Sequence, residues 1–233
     1  MSTHNKRVNI ELFNIFIPSY NEEKNIAEVI QAIKRIYPEI KIYVVNDGST
    51  DNTKNVALNE GAIVIDHPTN LGQGAAIRTA FEFAIDKNVK YIVTLDADGQ
   101  HDPKELPGMF IKMSDEEADL IIGSRFIDDK EIKMKKYREF GILFLSRIFS
   151  IIHTTNLTDI TSGYRIYEHS MIKTILPFLK EEQYYAIEVL KEIIKHKGKI
   201  IEVPVEDIQR KHGKSKKRFL KYAFKLIRIT LKE

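Results

Sequence analysis

The sequence predicts an α/β fold: a mostly parallel central sheet flanked by helices on both faces. Short apolar runs alternate with segments of helical periodicity through the first half of the chain. The helices between the runs are long enough for right-handed crossovers, which join parallel strands. Polar residues gather where each apolar run stops, at the edge where such sheets bind ligands.

The elements follow in order. Leu12 to Ile17 is an apolar run stopped by Pro18, and Ile26, Val29, Ile30 and Ile33 then repeat at helical spacing. The same events recur in KIYVVNDGST with the helix after Asp51, and in AIVIDHPTNLGQG with the helix through Ala80, Phe81 and Ala84. YIVTLDADGQHDP leads into a helix from Pro103, with Asp102 and Glu105 spaced as an N-cap and its N3 partner. ADLIIGSRF supplies another strand. Beyond Phe126, the charged DDKEIKMKK precedes FGILFLSRIFSII, whose apolar density fits a buried or interfacial helix. TDITSGYRIYEHS reads as turn-rich, EEQYYAIEVLKEIIKHKGK as a helix stopped by Gly198, and KIIEVPVED as a strand with Pro204 near its end.

The 233 residues, 43% of them hydrophobic, suffice for one large domain or a domain with an appendage. Without cysteine there are no disulfides and no thiolate chemistry, which is compatible with a reducing cytoplasm. The N-terminus lacks the apolar core of a signal peptide, and no run approaches the roughly 20 residues that span a bilayer. Contact with a membrane is therefore expected from its surface. The net charge is only +3, yet from Arg210 to Lys232 cations occur with no acid among them. That tail calls for an anionic partner. Its segment KKRFLKYAFKLIRITLKE fits a core helix with a basic face, a nucleic-acid surface, or an interfacial helix holding anionic lipid head groups.

The strand ends PSYNE, NDGSTD, DADGQ and GSR lie at one edge of the predicted sheet. Asp96 and Asp98 are one residue apart, so in an extended chain both carboxylates face the same way and can share a cation. Gln100 adds a neutral oxygen on that face. Oxygen-only ligands favour Mg²⁺ or Mn²⁺ and leave room for substrate phosphates. The plainer alternative is a turn at Asp98-Gly99 and a helix cap at Asp102, without metal. Against it stands the cost of an unpaired carboxylate directly after a buried strand.

IPSYNE, VVNDGSTDNT, NLGQGAAIRTA, TLDADGQHDP, IIGSRF and DITSGYRIY, in this order, resemble family-2 glycosyltransferases of the dolichol-phosphate mannose synthase and polyprenyl-phosphate hexosyltransferase branch. The resemblance runs from about Leu12 to Ser215. It implies a GT-A fold, a nucleotide-diphosphate-sugar donor, a divalent cation and inversion at the anomeric carbon. By the same resemblance Pro18, Tyr20, Asn21 and Glu22 line the nucleobase and ribose pocket, with Asp47 on the base or ribose; Asn46 stands where a second acid is usual. Asp96 meets the donor and the metal, Asp98 and Gln100 are the main metal ligands, and His101 is scaffolding. Gly74 and its turn suit either a phosphate or a purely structural strand-to-helix connection, and Arg78 either follows the pyrophosphate or is solvated. Ser124, Arg125 and Arg165, with Arg138, are expected at an acceptor phosphate. Arg210, Lys214 and Ser215 resemble a loop that closes over the donor diphosphate, the alternative being a plain cationic linker.

The expected activity is transfer of a sugar to a polyprenyl (dolichyl or undecaprenyl) phosphate. An ionised phosphate needs positioning more than a base. A hydroxyl acceptor would need one, for which Asp159 is the candidate, its alternative being capping or pairing with Arg165. The rival enzyme reading is transfer to a hydroxyl of a glycan or glycolipid; the rival non-enzyme reading is a basic module binding membrane or nucleic acid. The preferred reading has no nucleic-acid partner. It divides the chain into a catalytic domain, 1–215, and a basic amphipathic helix, 216–233, bound peripherally to the cytoplasmic face of a membrane. There it acts directly, through a membrane-protein partner or as a homo-oligomer, with FGILFLSRIFSII as a second contact.

Overall fold

The computed structural model describes residues 9–128, 132–180 and 185–210. Within them a seven-stranded sheet runs in the order β3-β2-β1-β4-β6-β5-β7. Its strands are β1 (Phe13–Ser19), β2 (Lys41–Asn46), β3 (Ile63–Asp66), β4 (Tyr91–Thr94), β5 (Leu120–Ser124), β6 (Arg165–Glu168) and β7 (Ile200–Pro204). All pairings are parallel except those of β6, which lies antiparallel between β4 and β5. Helices α1 (Ile26–Ile36), α2 (Thr53–Asn59), α3 (Gln73–Asp86), α4 (Leu106–Asp115), α5 (Lys136–His153), α6 (His169–Ile175) and α7 (Tyr185–Lys195) fill the connections.

Strand alternation divides the core between the two faces. In β1, Phe13, Ile15 and Ile17 pack with α1 and α4 on one face, while Phe16 packs with Tyr43 and α3 on the other. All four are essentially inaccessible, each contributing about 2 kcal/mol relative to exposure. The rigid result places the carboxyl ends of β1, β2, β4 and β5 along one edge, as the sequence predicts.

Three local expectations are corrected. TDITSGYRIYEHS is not turn throughout, since it contains β6. That strand is only four residues long, RIYE, and carries a charge at each end, which hides its buried pair Ile166 and Tyr167. At α4, Asp102 caps a 3₁₀ turn (Pro103–Glu105) by accepting from the Lys104 N–H, and the α-helix starts only at Leu106. Glu105 accepts from the Glu206 N–H rather than closing a capping box. Finally, β4 stops at Thr94, so DADG is a turn rather than extended chain. The proposed tail helix, 216–233, lies outside the described residues.

FGILFLSRIFSII falls in α5 and is both buried and exposed. Ile142, Leu145 and Phe149 face the core, whereas Phe140, Phe144 and Ile151 face outward, Phe140 at 72% exposure. No helix among the described residues is long and apolar enough to cross a membrane.

Candidate active site

A cleft of about 600 Å³ opens at the carboxyl edge. Pro18, Tyr20 and Glu22 line its β1 side, and Asp47 its β2 side. The two loops are stitched together. The Asn21 N–H donates to Ser49 Oγ and the Glu22 N–H to Thr53 Oγ1, while Asn21 Oδ1 accepts from the Thr50 N–H at 2.8 Å.

Asp47 is 3% exposed, and its carboxylate is saturated. His67 Nδ1 and the Leu71 N–H donate to Oδ1, both at 2.9 Å. Asn70 Nδ2 and the Gly72 N–H donate to Oδ2 at 3.1 and 2.8 Å. The Leu71 and Gly72 N–H groups of the NLGQG turn thus satisfy a protein carboxylate, a structural role for that part of the turn. The loop also lies on Gly48, whose φ is +64° and where a Cβ would fall 2.3 Å from the Thr69 carbonyl carbon.

The DADGQ turn brings Asp96 and Asp98 together despite leaving the extended conformation. Asp96 accepts from Gln73 Nε2 at 3.0 Å, and its own N–H donates to His101 Nδ1 at 3.1 Å. His101 stacks on Tyr164 with ring centroids 4.8 Å apart, and burial pushes its imidazole below the usual range. It is therefore a neutral acceptor in the scaffold. Burial, and then the Asp96 charge, push the Asp98 carboxyl up to about 6, against the pull of Arg210. Arg210 pairs with Glu22, and its Nη1 lies 3.9 Å from Asp98 Oδ2. Gln100 Nε2 donates to the Ile208 carbonyl, so its oxygen is the atom a cation would take. Among the described residues no group of three acidic, histidine or cysteine ligands converges. Two carboxylates and an amide oxygen suit a hard divalent ion that completes its shell from a diphosphate.

Across the cleft stands Arg125. Its Nε donates to Asp159 Oδ2 at 2.7 Å and its Nη2 to Oδ1 at 3.0 Å, a bidentate pair with a fully buried carboxylate. Burial alone would lower the Arg125 pKa; the charge and hydrogen bonds of Asp159, together with the charges of Asp207 and Asp96, raise it overall. Asp159 is held in turn by Glu202, whose Oε1 accepts from the Asp159 N–H at 2.8 Å. Arg138, half-buried in the first turn of α5, also lines the cleft.

The sequence profile described as glycosyl transferase family 2 matches residues 14–176. The chain belongs to glycosyltransferase family 2. Polyprenol monophosphomannose synthase of Mycolicibacterium smegmatis is 29% identical over 212 residues, covering 87% of this chain and 79% of that protein. Undecaprenyl-phosphate mannosyltransferase of Micrococcus luteus is 30% identical over 208 residues, covering 86% and 85%. Among solved structures, glucosyl-3-phosphoglycerate synthase from Mycobacterium tuberculosis, in complex with Mn²⁺, UDP-glucose and phosphoglyceric acid, matches with a TM-score of 0.73. The identity is 17%, over 94% of this chain and 78% of that one, and the shared architecture is GT-A. The chain is an enzyme, so a purely non-catalytic basic module is set aside.

In this family-2 glycosyltransferase the cleft gathers Pro18, Tyr20, Glu22, Asp47, Asp96, Asp98, Gln100, Arg125 and Arg210. Other expected residues are placed elsewhere. Arg165, expected at the acceptor, is 0% exposed beneath the cleft and donates to the carbonyls of Ser162, Ala186 and Ile160. Ser124 is equally buried, its hydroxyl 2.6 Å from Thr158 Oγ1. Asp159 is 0% exposed, pairs with Arg125 and not Arg165, and its Oδ1 also accepts from the N–H and hydroxyl of Thr161, a local cap. Asn21 joins two loops, and Gly74 is buried in the first turn of α3, with Gly72 and Gln73 lining the cleft instead. Arg78 bonds Glu82 and the Leu179 carbonyl. Lys214 and Ser215 lie outside the described residues. Gln73, Gly163 and Asp207, all at the cleft, were not singled out from sequence; their contacts span elements far apart in the chain.

Proposed function

We propose that this glycosyltransferase moves a sugar from a nucleotide-diphosphate donor to a polyprenyl phosphate, with Mg²⁺ or Mn²⁺ and with inversion. The observation that carries the reading is that Arg138 and the Arg125–Asp159 pair line the cleft while the acids beside them are already engaged. Asp159 is buried against Arg125, and Asp207, 5% exposed, accepts from the Met134 N–H at 2.6 Å. Such a site suits a nucleophile that is already an anion. The names of the relatives above point the same way.

In the reaction, an acceptor phosphate oxygen bonds to the anomeric carbon as the bond from that carbon to the diphosphate oxygen breaks on the opposite face. Tyr20 and Glu22 bind the nucleoside, Arg125 and Arg138 orient the attacking phosphate, and Arg210 meets the charge that develops on the leaving diphosphate. Asp96, Asp98 and Gln100 would hold the cation, which when bound supplies further positive charge to that leaving group.

We place the enzyme at the cytoplasmic face of a membrane, bound by the outward aromatic face of α5 and by the basic segment 216–233. Arg138 sits on α5 just before Phe140, so an acceptor phosphate in the cleft leaves its lipid chain beside that face. Arg138→Ala is expected to raise the acceptor KM roughly 10-fold or more with donor hydrolysis unchanged. Paired Phe140→Ser and Phe144→Ser changes should raise KM for a long-chain acceptor in vesicles but not for a short, soluble one. Steady-state kinetics on both acceptors check this; an unchanged KM for Arg138→Ala would remove the acceptor assignment.

A further inference from the structure

Two motifs remain unexplained by the binding of donor or acceptor, the Gln73 of NLGQG and the Gly163 of DITSGYR. Both end at the same carboxylate. Gln73 Nε2 donates to Asp96 Oδ1 at 3.0 Å; because the partner is a carboxylate, the amide nitrogen must be the atom that faces it. From the other side, a Cβ on Gly163 would fall 3.1 and 3.2 Å from the two oxygens of Asp96 and 3.4 Å from its Cγ. The carboxylate lies against bare backbone, in space that any side chain would take.

Gly163 is not among the residues with positive φ, so its backbone conformation does not call for glycine. The requirement is the approach of Asp96. The backbone there is fixed as well, since the Gly163 carbonyl accepts from Thr94 Oγ1 at 2.9 Å, tying the entry of β6 to the end of β4. The antiparallel insertion of β6 therefore supplies the floor under Asp96, and α3 supplies the wall.

We infer that Gln73 and Gly163 are positioning residues that fix the Asp96 carboxylate in the orientation used for the divalent cation. This rests on the proposed metal role of Asp96. Gln73 anchors the carboxylate through Oδ1, the oxygen it donates to. Gly163 sets its depth. Neither touches the substrate in this account, and neither would be found by searching for metal-ligating residue types.

The test is Mn²⁺ binding to the full chain, followed by electron paramagnetic resonance with UDP and with GDP as probes, alongside thermal denaturation of the metal-free protein. Gln73→Met keeps side-chain length and loses the donor. It is expected to weaken Mn²⁺ binding about 10-fold, as loss of a partner to a metal ligand does, with the metal-free Tm and the metal-free nucleotide affinity unchanged. Gly163→Ala should weaken Mn²⁺ binding comparably by displacing the carboxylate a few tenths of an ångström; if that variant fails to fold, Gln73→Met decides alone. Wild-type Mn²⁺ affinity in Gln73→Met would overturn the inference and leave the metal reading standing. A wild-type protein that binds no Mn²⁺ with either nucleotide would overturn both.

Discussion

Asp98→Asn is expected to cripple sugar transfer and at the same time to make the metal-free protein more resistant to heat at pH 7. The two effects have one cause. Asp98 is held next to Asp96 in a partly desolvated turn, and its carboxyl is pushed up to about 6 from an ordinary value of 3.8. A carboxyl raised on folding stabilises the folded state while protonated, fully below its unfolded pKa, and loses that contribution as pH rises through the folded value. At pH 7 the ionised group therefore works against folding, and a neutral amide in its place removes that penalty. At pH 4 to 5 the wild-type group is largely protonated, so the advantage of the substitution should shrink. The same change removes one of two carboxylates available to a cation, and a fall in kcat of at least about 10²–10³-fold is expected. Transfer assays at saturating Mn²⁺ and melting curves at pH 7 and pH 5 check both halves. Retained transfer would remove Asp98 from the metal site, and a lower Tm at pH 7 would show that the residue is structural.

Arg165→Met is expected to destabilise the protein strongly without altering acceptor recognition. The guanidinium is fully buried and donates to three backbone carbonyls, those of Ile160, Ser162 and Ala186, at 2.8 to 3.0 Å. A methionine fills much of the volume and satisfies none of them. Leaving several buried acceptors unpaired costs on the order of 3 kcal/mol or more. For a chain of this size that is a fall in Tm of roughly 6–12 °C. Arg165→Lys should not rescue it, because one ammonium cannot span three separated carbonyls. In protein that remains folded, the acceptor KM stays at the wild-type value. A raised KM with an unchanged Tm would return Arg165 to the acceptor site.

The contrast between Arg125 and Arg165 shows where the sequence was informative. Arg125 follows the apolar strand LIIGS and Arg165 the turn TSGY, and the family resemblance places both at the acceptor. What separates them is β6, which runs against the direction of its neighbours and turns Arg165 inward. A four-residue strand with a charge at each end leaves too little alternation to detect. The DADGQ turn was legible because two acids and an amide directly after an apolar strand are costly unless something uses them. The roles of Asp47 and Asp159 were not legible. Each carboxylate is engaged by partners 20 or more residues away, His67 and Asn70 for one and Arg125 for the other, with Thr161 as a further, local partner of Asp159. Spacing along the chain carries no trace of such partners, and the same is true of Gln73 and Gly163 around Asp96. The parallel strands and their covering helices were readable throughout, because hydrophobic period is a local property.

The most direct test of a phosphate acceptor is the product itself. The purified enzyme is incubated with Mn²⁺, a panel of uridine, guanosine and thymidine diphosphate sugars, and polyprenyl phosphate in detergent. One donor is expected to give a lipid-linked sugar that mild acid cleaves, and the unphosphorylated polyprenol should give none. Transfer to the polyprenol, or to a glycan hydroxyl with no product from the phosphate, would contradict the account.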